Sequence, residues 1–166
     1  MILGITGHRP QKMYGFKEGE PANVFVIEAI RDFLKEVGPD KVLTGMALGV
    51  DQWAAQWCIA LGIPFVAVLP VEHPEKAWPE KSQAKYHSIM KSASEVLVAP
   101  SNGESYGHLL QKRNEMIVDR ADLMLGVYGG GPGGTRNCLE YALKQNKEVR
   151  IINPGDFYRH SPQPTV

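Results

Sequence analysis

Six short apolar runs alternate with five stretches of helical periodicity along this 166-residue chain, and most of its glycines follow the runs. This order predicts an α/β fold: a Rossmann-like three-layer α/β/α sandwich on a mainly parallel sheet, because strands apolar on both faces need helices over each side. Size agrees. With 43% hydrophobic and 22% charged residues the chain fills one core, and two full domains do not fit. Residues 1–155 are read as a single domain and 156–166, with Pro162 and Pro164, as a C-terminal tail.

The runs at 2–6, 41–44, 64–69, 95–99, 123–128 and 148–153 have the length of buried strands. Between them come the helical stripes. Ile27, Ile30, Leu34 and Val37 make the first, and Val50, Trp53, Ala54, Trp57, Cys58 and Leu61 the second. Tyr86, Ile89, Met90 and Ala93 serve the third, Leu109, Leu110, Met116 and Ile117 the fourth, and Cys138, Leu139, Ala142 and Leu143 the fifth. The uncharged stretch 52–71 is broken by Gln52, Gln56, Gly62, Pro64 and Pro70, so it reads as helix, turn and strand and not as a membrane span. Cys58 and Cys138 belong to no CxxC or His cluster, which predicts two small core residues and no metal site. The first residues carry no basic, apolar leader pattern; a cytoplasmic protein is expected.

In an open parallel sheet, ligands lie beyond the carboxyl ends of the strands. Gly7 follows the first strand there, Gly45 and Gly49 the second, Gly103 and Gly107 the fourth, and five glycines around Pro132, from Gly129 to Gly134, the fifth. The long connections 7–22 and 70–81 lie at the same edge. Gly133-Gly134-Thr135 opens a helix: glycine lets backbone N–H groups meet a phosphate without a Cβ in the way, and the helix N-terminus adds partial positive charge. Thr135 as an ordinary cap is the alternative. Asp51 either complements a helix N-terminus or meets a ribose hydroxyl or takes part in chemistry. His8 and Arg9 are a solvated pair or an anion-binding and proton-transferring one.

Arg113 lies inside the fourth stripe, three or four residues from each of Leu109, Leu110, Met116 and Ile117. A charge there needs a partner, either a carboxylate such as Asp119, Asp122 or Glu115, or an anionic ligand. Trp78 and Tyr86 are candidates to stack on a base, while Trp53 and Trp57 belong to the core. Glu140 falls off the apolar face of its helix. Eighteen basic residues balance eighteen acidic ones without a basic tail, which argues against nucleic acid as a partner and leaves a local anion pocket open. A homo-oligomer is left open.

Four segments in order carry a resemblance: 4–10 (Gly-Ile-Thr-Gly-His-Arg-Pro), 44–55 from Thr44 through Met46, Ala47 and Asp51, 113–122 beginning Arg113-Asn114, and 133–137. Together they resemble the YspA/YpsA-like branch of the SLOG superfamily, related to the LOG phosphoribohydrolases and to DprA. The resemblance implies a Rossmann-like fold that binds or senses a nucleotide or nucleotide-derived small molecule, with no other cofactor required. The ligand set it implies is Gly7, His8, Arg9, Gly45, Met46, Ala47, Gly49, Asp51, Arg113, Asn114, Gly133, Gly134 and Thr135. Two alternatives follow from the same relatives, a LOG-type nucleoside-monophosphate hydrolase and a DprA-like binder of single-stranded DNA. For hydrolysis Arg113, Asp51 and Glu140 are the catalytic candidates; the LOG pattern has Glu three residues after its Thr, where this chain has Cys138.

Overall fold

The computed structural model describes residues 1–160 except 11, 12, 14 and 16, so part of the long connection 7–22 and residues 161–166 lie outside the described residues. Six parallel strands form one sheet: β1 (Ile2–Gly7), β2 (Lys41–Thr44), β3 (Phe65–Leu69), β4 (Glu95–Val98), β5 (Leu123–Val127) and β6 (Glu148–Ile152). Their order is β4-β3-β2-β1-β5-β6. The chain therefore walks outward from β1 to one edge, then returns to pair β5 on the other side of β1. Right-handed crossovers convert that reversal into layers, since connections running one way lie on one face and those running back lie on the other.

Helices α1 (Pro21–Val37), α2 (Val50–Leu61) and α3 (Glu80–Met90) cover the first face, and α4 (Tyr106–Arg120) and α5 (Gly134–Lys144) the second. Side-chain alternation along the strands builds a core on each side. Leu3, Ile5, Phe65, Ala67 and Leu125 pack with Val26, Ile30, Leu34, Trp53 and Ile89. Leu43, Val66, Val68 and Met124 pack with Ile117, Val118, Cys138 and Ala142. Pro21 starts α1 where its missing N–H costs nothing, and Gly38 ends it in a left-handed conformation whose N–H bonds Leu34 O. Buried Asn23 donates to the carbonyls of Gly15 and Lys17, at 3.1 and 2.9 Å, tying down the end of the long first connection.

Three expectations change. The outer strands are not apolar and covered on both faces: Val96 and Val98 of β4 and Ile151 of β6 are 41–49% exposed, because an edge strand lacks a neighbour on one side. Leu143 is exposed, one residue of helical rotation past the stripe that Cys138, Leu139 and Ala142 bury. The stretch read as tail begins with a short helix, α6 (Asp156–His160), started by Asn153 Oδ1 accepting the Gly155 N–H at 2.8 Å, with Phe157 against Phe25. Cys58 and Cys138 are free and buried, their thiols pushed up by burial to about 12 and about 11.

Candidate anion and nucleotide site

The sheet order places its reversal between β1 and β5, and a cavity of about 410 Å³ opens there at the carboxyl ends of the strands. β1 and the residues after it supply Ile5, Thr6, Gly7, His8 and Arg9; Ala47 of the β2–α2 connection and Asp51 of the first turn of α2 follow. Leu110, Arg113, Asn114 and Ile117 come from α4, and Gly134 and Thr135 from the start of α5. Four separate segments therefore converge on one volume.

Arg113 is 5% exposed. Its Nη1 donates to the Gly45 carbonyl at 2.7 Å and its Nε to Asn114 Oδ1 at 2.9 Å. Among the described residues no carboxylate lies within 4 Å of the guanidinium, so none of the ion pairs open to it from the sequence forms. Asp119 instead accepts from the Tyr141 hydroxyl and Asp122 from the Ile2 N–H. Burial pulls the guanidinium pKa down, and the attraction of Asp51 partly restores it.

Asp51 is 8% exposed, and burial raises its carboxyl above the ordinary range against the opposing pull of Arg113, the Ala47 N–H and Arg9. The side chain does not cap α2: its Oδ2 accepts from Ala47 N, at 3.2 Å, on the preceding loop. That loop is held rigid. Thr44 Oγ1 bonds Asp51 O at 2.9 Å, Gln52 Nε2 bonds Met46 O at 3.2 Å, and Met46, fully buried, sits at φ +57°, a left-handed conformation kept by these contacts.

His8 is buried and its Nε2 accepts the Gly129 N–H at 3.0 Å. The bond ties the end of β1 to the glycine loop after β5. Helix α5 starts from Gly133 at φ +141° with no side-chain cap and no acidic residue in its first turn. Thr135 is thus not the cap, since the helix begins one residue before it. It lines the cavity beside Gly134.

Other expected residues lie apart from this cavity. Gly45 and Met46 line an adjoining lobe, while Gly49 packs against Pro10 and Gly133 is the N-cap residue of α5. Glu140 is not placed for chemistry: it is half-exposed and paired with Arg136 one helical turn away at 2.9 Å. Tyr86 is not available for stacking. It is 3% exposed and packs edge-on against Trp78, 5.4 Å between ring centres. Leu110 and Tyr106, which also line the site, escaped the sequence reading; only their place on the first turns of the helix that carries Arg113 marks them. Among the described residues no group of three His, Cys, Asp or Glu is placed to hold a metal, and no helix is long and apolar enough to cross a membrane.

A parallel sheet with one reversal defines a Rossmann-like α/β protein, and an arginine-lined cavity lies at that reversal. The model of the YspA SLOG family matches residues 3–156, and the chain belongs to that family. It is 30% identical over 135 residues to the SPβ prophage-derived protein YoqJ of Bacillus subtilis, covering 72% of this chain and 78% of that one. It is 27% identical to the UPF0398 protein BH1768 of Halalkalibacterium halodurans, covering 94% and 89%. Among solved structures, DprA of Streptococcus pneumoniae shares the fold with TM-score 0.65 and 18% identity over 90% of this chain, which spans 49% of that protein. The molybdenum cofactor carrier protein of Chlamydomonas reinhardtii superposes with TM-score 0.59 and 17% identity, over 95% and 81% of the two chains. The expectation that nucleic acid is no partner finds no support here, because DprA of Helicobacter pylori, TM-score 0.64 and 16% identity over 91% of this chain and 64% of that one, binds single-stranded DNA.

Proposed function

We propose that this chain binds a phosphate-bearing, nucleotide-derived small molecule in the cavity between β1 and β5. The carrying observation is Arg113: a guanidinium 5% exposed, on the wall of that cavity and without a carboxylate within 4 Å among the described residues. A buried charge is costly until it is paired, and an anionic ligand completes the pair. The uncapped N-terminus of α5 supplies further donors at Gly134 and Thr135, exposed Arg9 adds a second guanidinium, and Asp51 faces the sugar hydroxyls. Thermal melting with a panel of nucleotides, ADP-ribose, NAD and cyclic dinucleotides tests it. A ligand at a hundredfold excess over its Kd stabilises by about 2.7 kcal/mol, roughly 5–10 °C for a chain of this size. Arg113→Met should remain folded and lose that rise. No stabilisation by any of the panel, together with no retained ligand in native mass spectrometry, overturns the proposal.

A second reading rests on Asp51, a buried carboxyl raised above its ordinary range in the same cavity. A carboxyl whose protonated form is favoured by burial, inside a cavity, can hold and pass on a proton. In N-glycoside hydrolysis the ionised Asp51 takes a proton from water as the water oxygen bonds the anomeric carbon, the C–N bond breaks with its electron pair passing to the base, and the base nitrogen receives the proton that Asp51 took, which regenerates the carboxylate. Chromatography of nucleoside monophosphates after incubation decides: base release abolished by Asp51→Asn supports it, and no release by the unaltered protein removes it.

A further inference from the structure

Next to the arginine-lined cavity lies a smaller lobe of about 130 Å³ that shares Arg9, Ala47, Leu110 and Arg113 with it. The lobe is too small for a whole ligand, since small-molecule sites run to about 300–1,000 Å³. It is the size of one end of a ligand whose remainder lies in the larger cavity. Its outer walls are two aromatic residues from distant parts of the chain, Trp78 after the 3-10 turn Pro74–Ala77 and Tyr106 at the start of α4. Pro70, Pro74, Leu48 and Met46 complete a lining that contains no acidic side chain.

Trp78 is held in place before any ligand arrives. Its N–H bonds Glu75 O at 2.9 Å, its carbonyl accepts Gln83 Nε2 at 2.8 Å, and its ring rests edge-on against buried Tyr86 at 88°. Holding the ring in advance removes an ordering cost from binding. Tyr106 is 48% exposed, so its ring is accessible to a ligand in the lobe that it lines. Two aromatic side chains, two prolines and two guanidinium groups at the junction match a flat heteroaromatic ring joined to an anionic group.

Resting on the anion-site reading above, we propose that this lobe takes the heterocyclic ring of the ligand, with Trp78 and Tyr106 as its specificity-determining residues. The ligand then lies with its ring at the β2 side and its phosphate toward α5, and Tyr106 takes the stacking role for which Tyr86 is too deeply buried.

The test uses the full chain and AMP, GMP, CMP, UMP and ribose 5-phosphate, followed by calorimetry and tryptophan fluorescence. At least one mononucleotide should bind about tenfold or more tighter than ribose 5-phosphate and change the fluorescence, while ribose 5-phosphate binds without changing it. Tyr106→Ala should weaken that mononucleotide by about tenfold and leave ribose 5-phosphate unaffected. Trp78→Phe should retain binding and lose the fluorescence change, which separates Trp78 from Trp53 and Trp57. If every mononucleotide binds only as well as ribose 5-phosphate and Tyr106→Ala changes neither, the ring lobe is overturned and the anion site stands. If neither class of probe binds, both fall.

Discussion

Arg113 and Gly45 depend on each other. A Cβ on Gly45 would stand 2.7 Å from Arg113 Cζ, so the loop approaches the guanidinium closely only because residue 45 has no side chain. Gly45→Ala should therefore keep the fold at a cost of about 1–3 kcal/mol, push the guanidinium off the Gly45 carbonyl, and weaken ligand binding tenfold or more, read by melting and calorimetry on one preparation. Asp51 gives a second prediction. Burial raises its folded pKa, so its contribution to stability is complete below the unfolded value of about 3.9 and is lost as pH rises through the elevated folded value. Asp51→Asn keeps an acceptor for the Ala47 N–H but carries no proton to lose. Denaturant unfolding at stepped pH should show the unaltered protein losing stability relative to Asp51→Asn as pH rises across this window; a constant difference would put the carboxyl at its ordinary value.

Helix α2 meets β1 at one tight point beneath the site, where a Cβ on Gly7 would lie 2.5 to 2.9 Å from Cγ1, Cβ and Cγ2 of Val50. A branched side chain at the first turn of a packed helix has little room to yield. Gly7→Ala should lower stability by about 1–3 kcal/mol and separate the end of β1 from the Ala47–Asp51 wall, measured as a lower melting temperature with weaker ligand binding. The same packing explains what the sequence made legible. Strands of a parallel sheet are short and rich in β-branched and aliphatic residues, at the edges as well as the centre, so each of the six was located to within a residue or so at either end, and i±3 and i±4 spacing alone put Arg113 in the core. The converging motifs were legible because strand ends in a parallel sheet all open at one edge. Edge position was not, since Val96 and Val98 read like any apolar pair until the strand order is known. Nor was the Gly45 carbonyl as the partner of a guanidinium 68 residues away, or Tyr106 as a wall of the smaller lobe. Contacts between distant segments leave no periodicity.

The whole molecule carries as many acidic as basic residues, and among the described residues the Lys and Arg side chains that line the cavity are Arg9 and Arg113. This bears directly on the partner that DprA's fold brings into view. A protein that tracks a nucleic-acid backbone neutralises many phosphates, and each adds about −0.7 to the slope of log K against log salt on a single strand. Two site arginines permit a slope of about −1.4. A site built for one mononucleotide should therefore bind a short oligothymidylate no more tightly than the mononucleotide at physiological salt. Its slope should be no steeper than about −1.4, and it should be displaced by any mononucleotide that the thermal panel identifies. Fluorescence anisotropy of a labelled strand from low to moderate salt measures all three. A slope several units steeper, with no competition from mononucleotide, would show a basic track elsewhere on the surface and move the protein's partner from small molecule to DNA. The even charge balance, which gives such a track no long-range attraction to draw on, is the physical reason to expect the shallow slope.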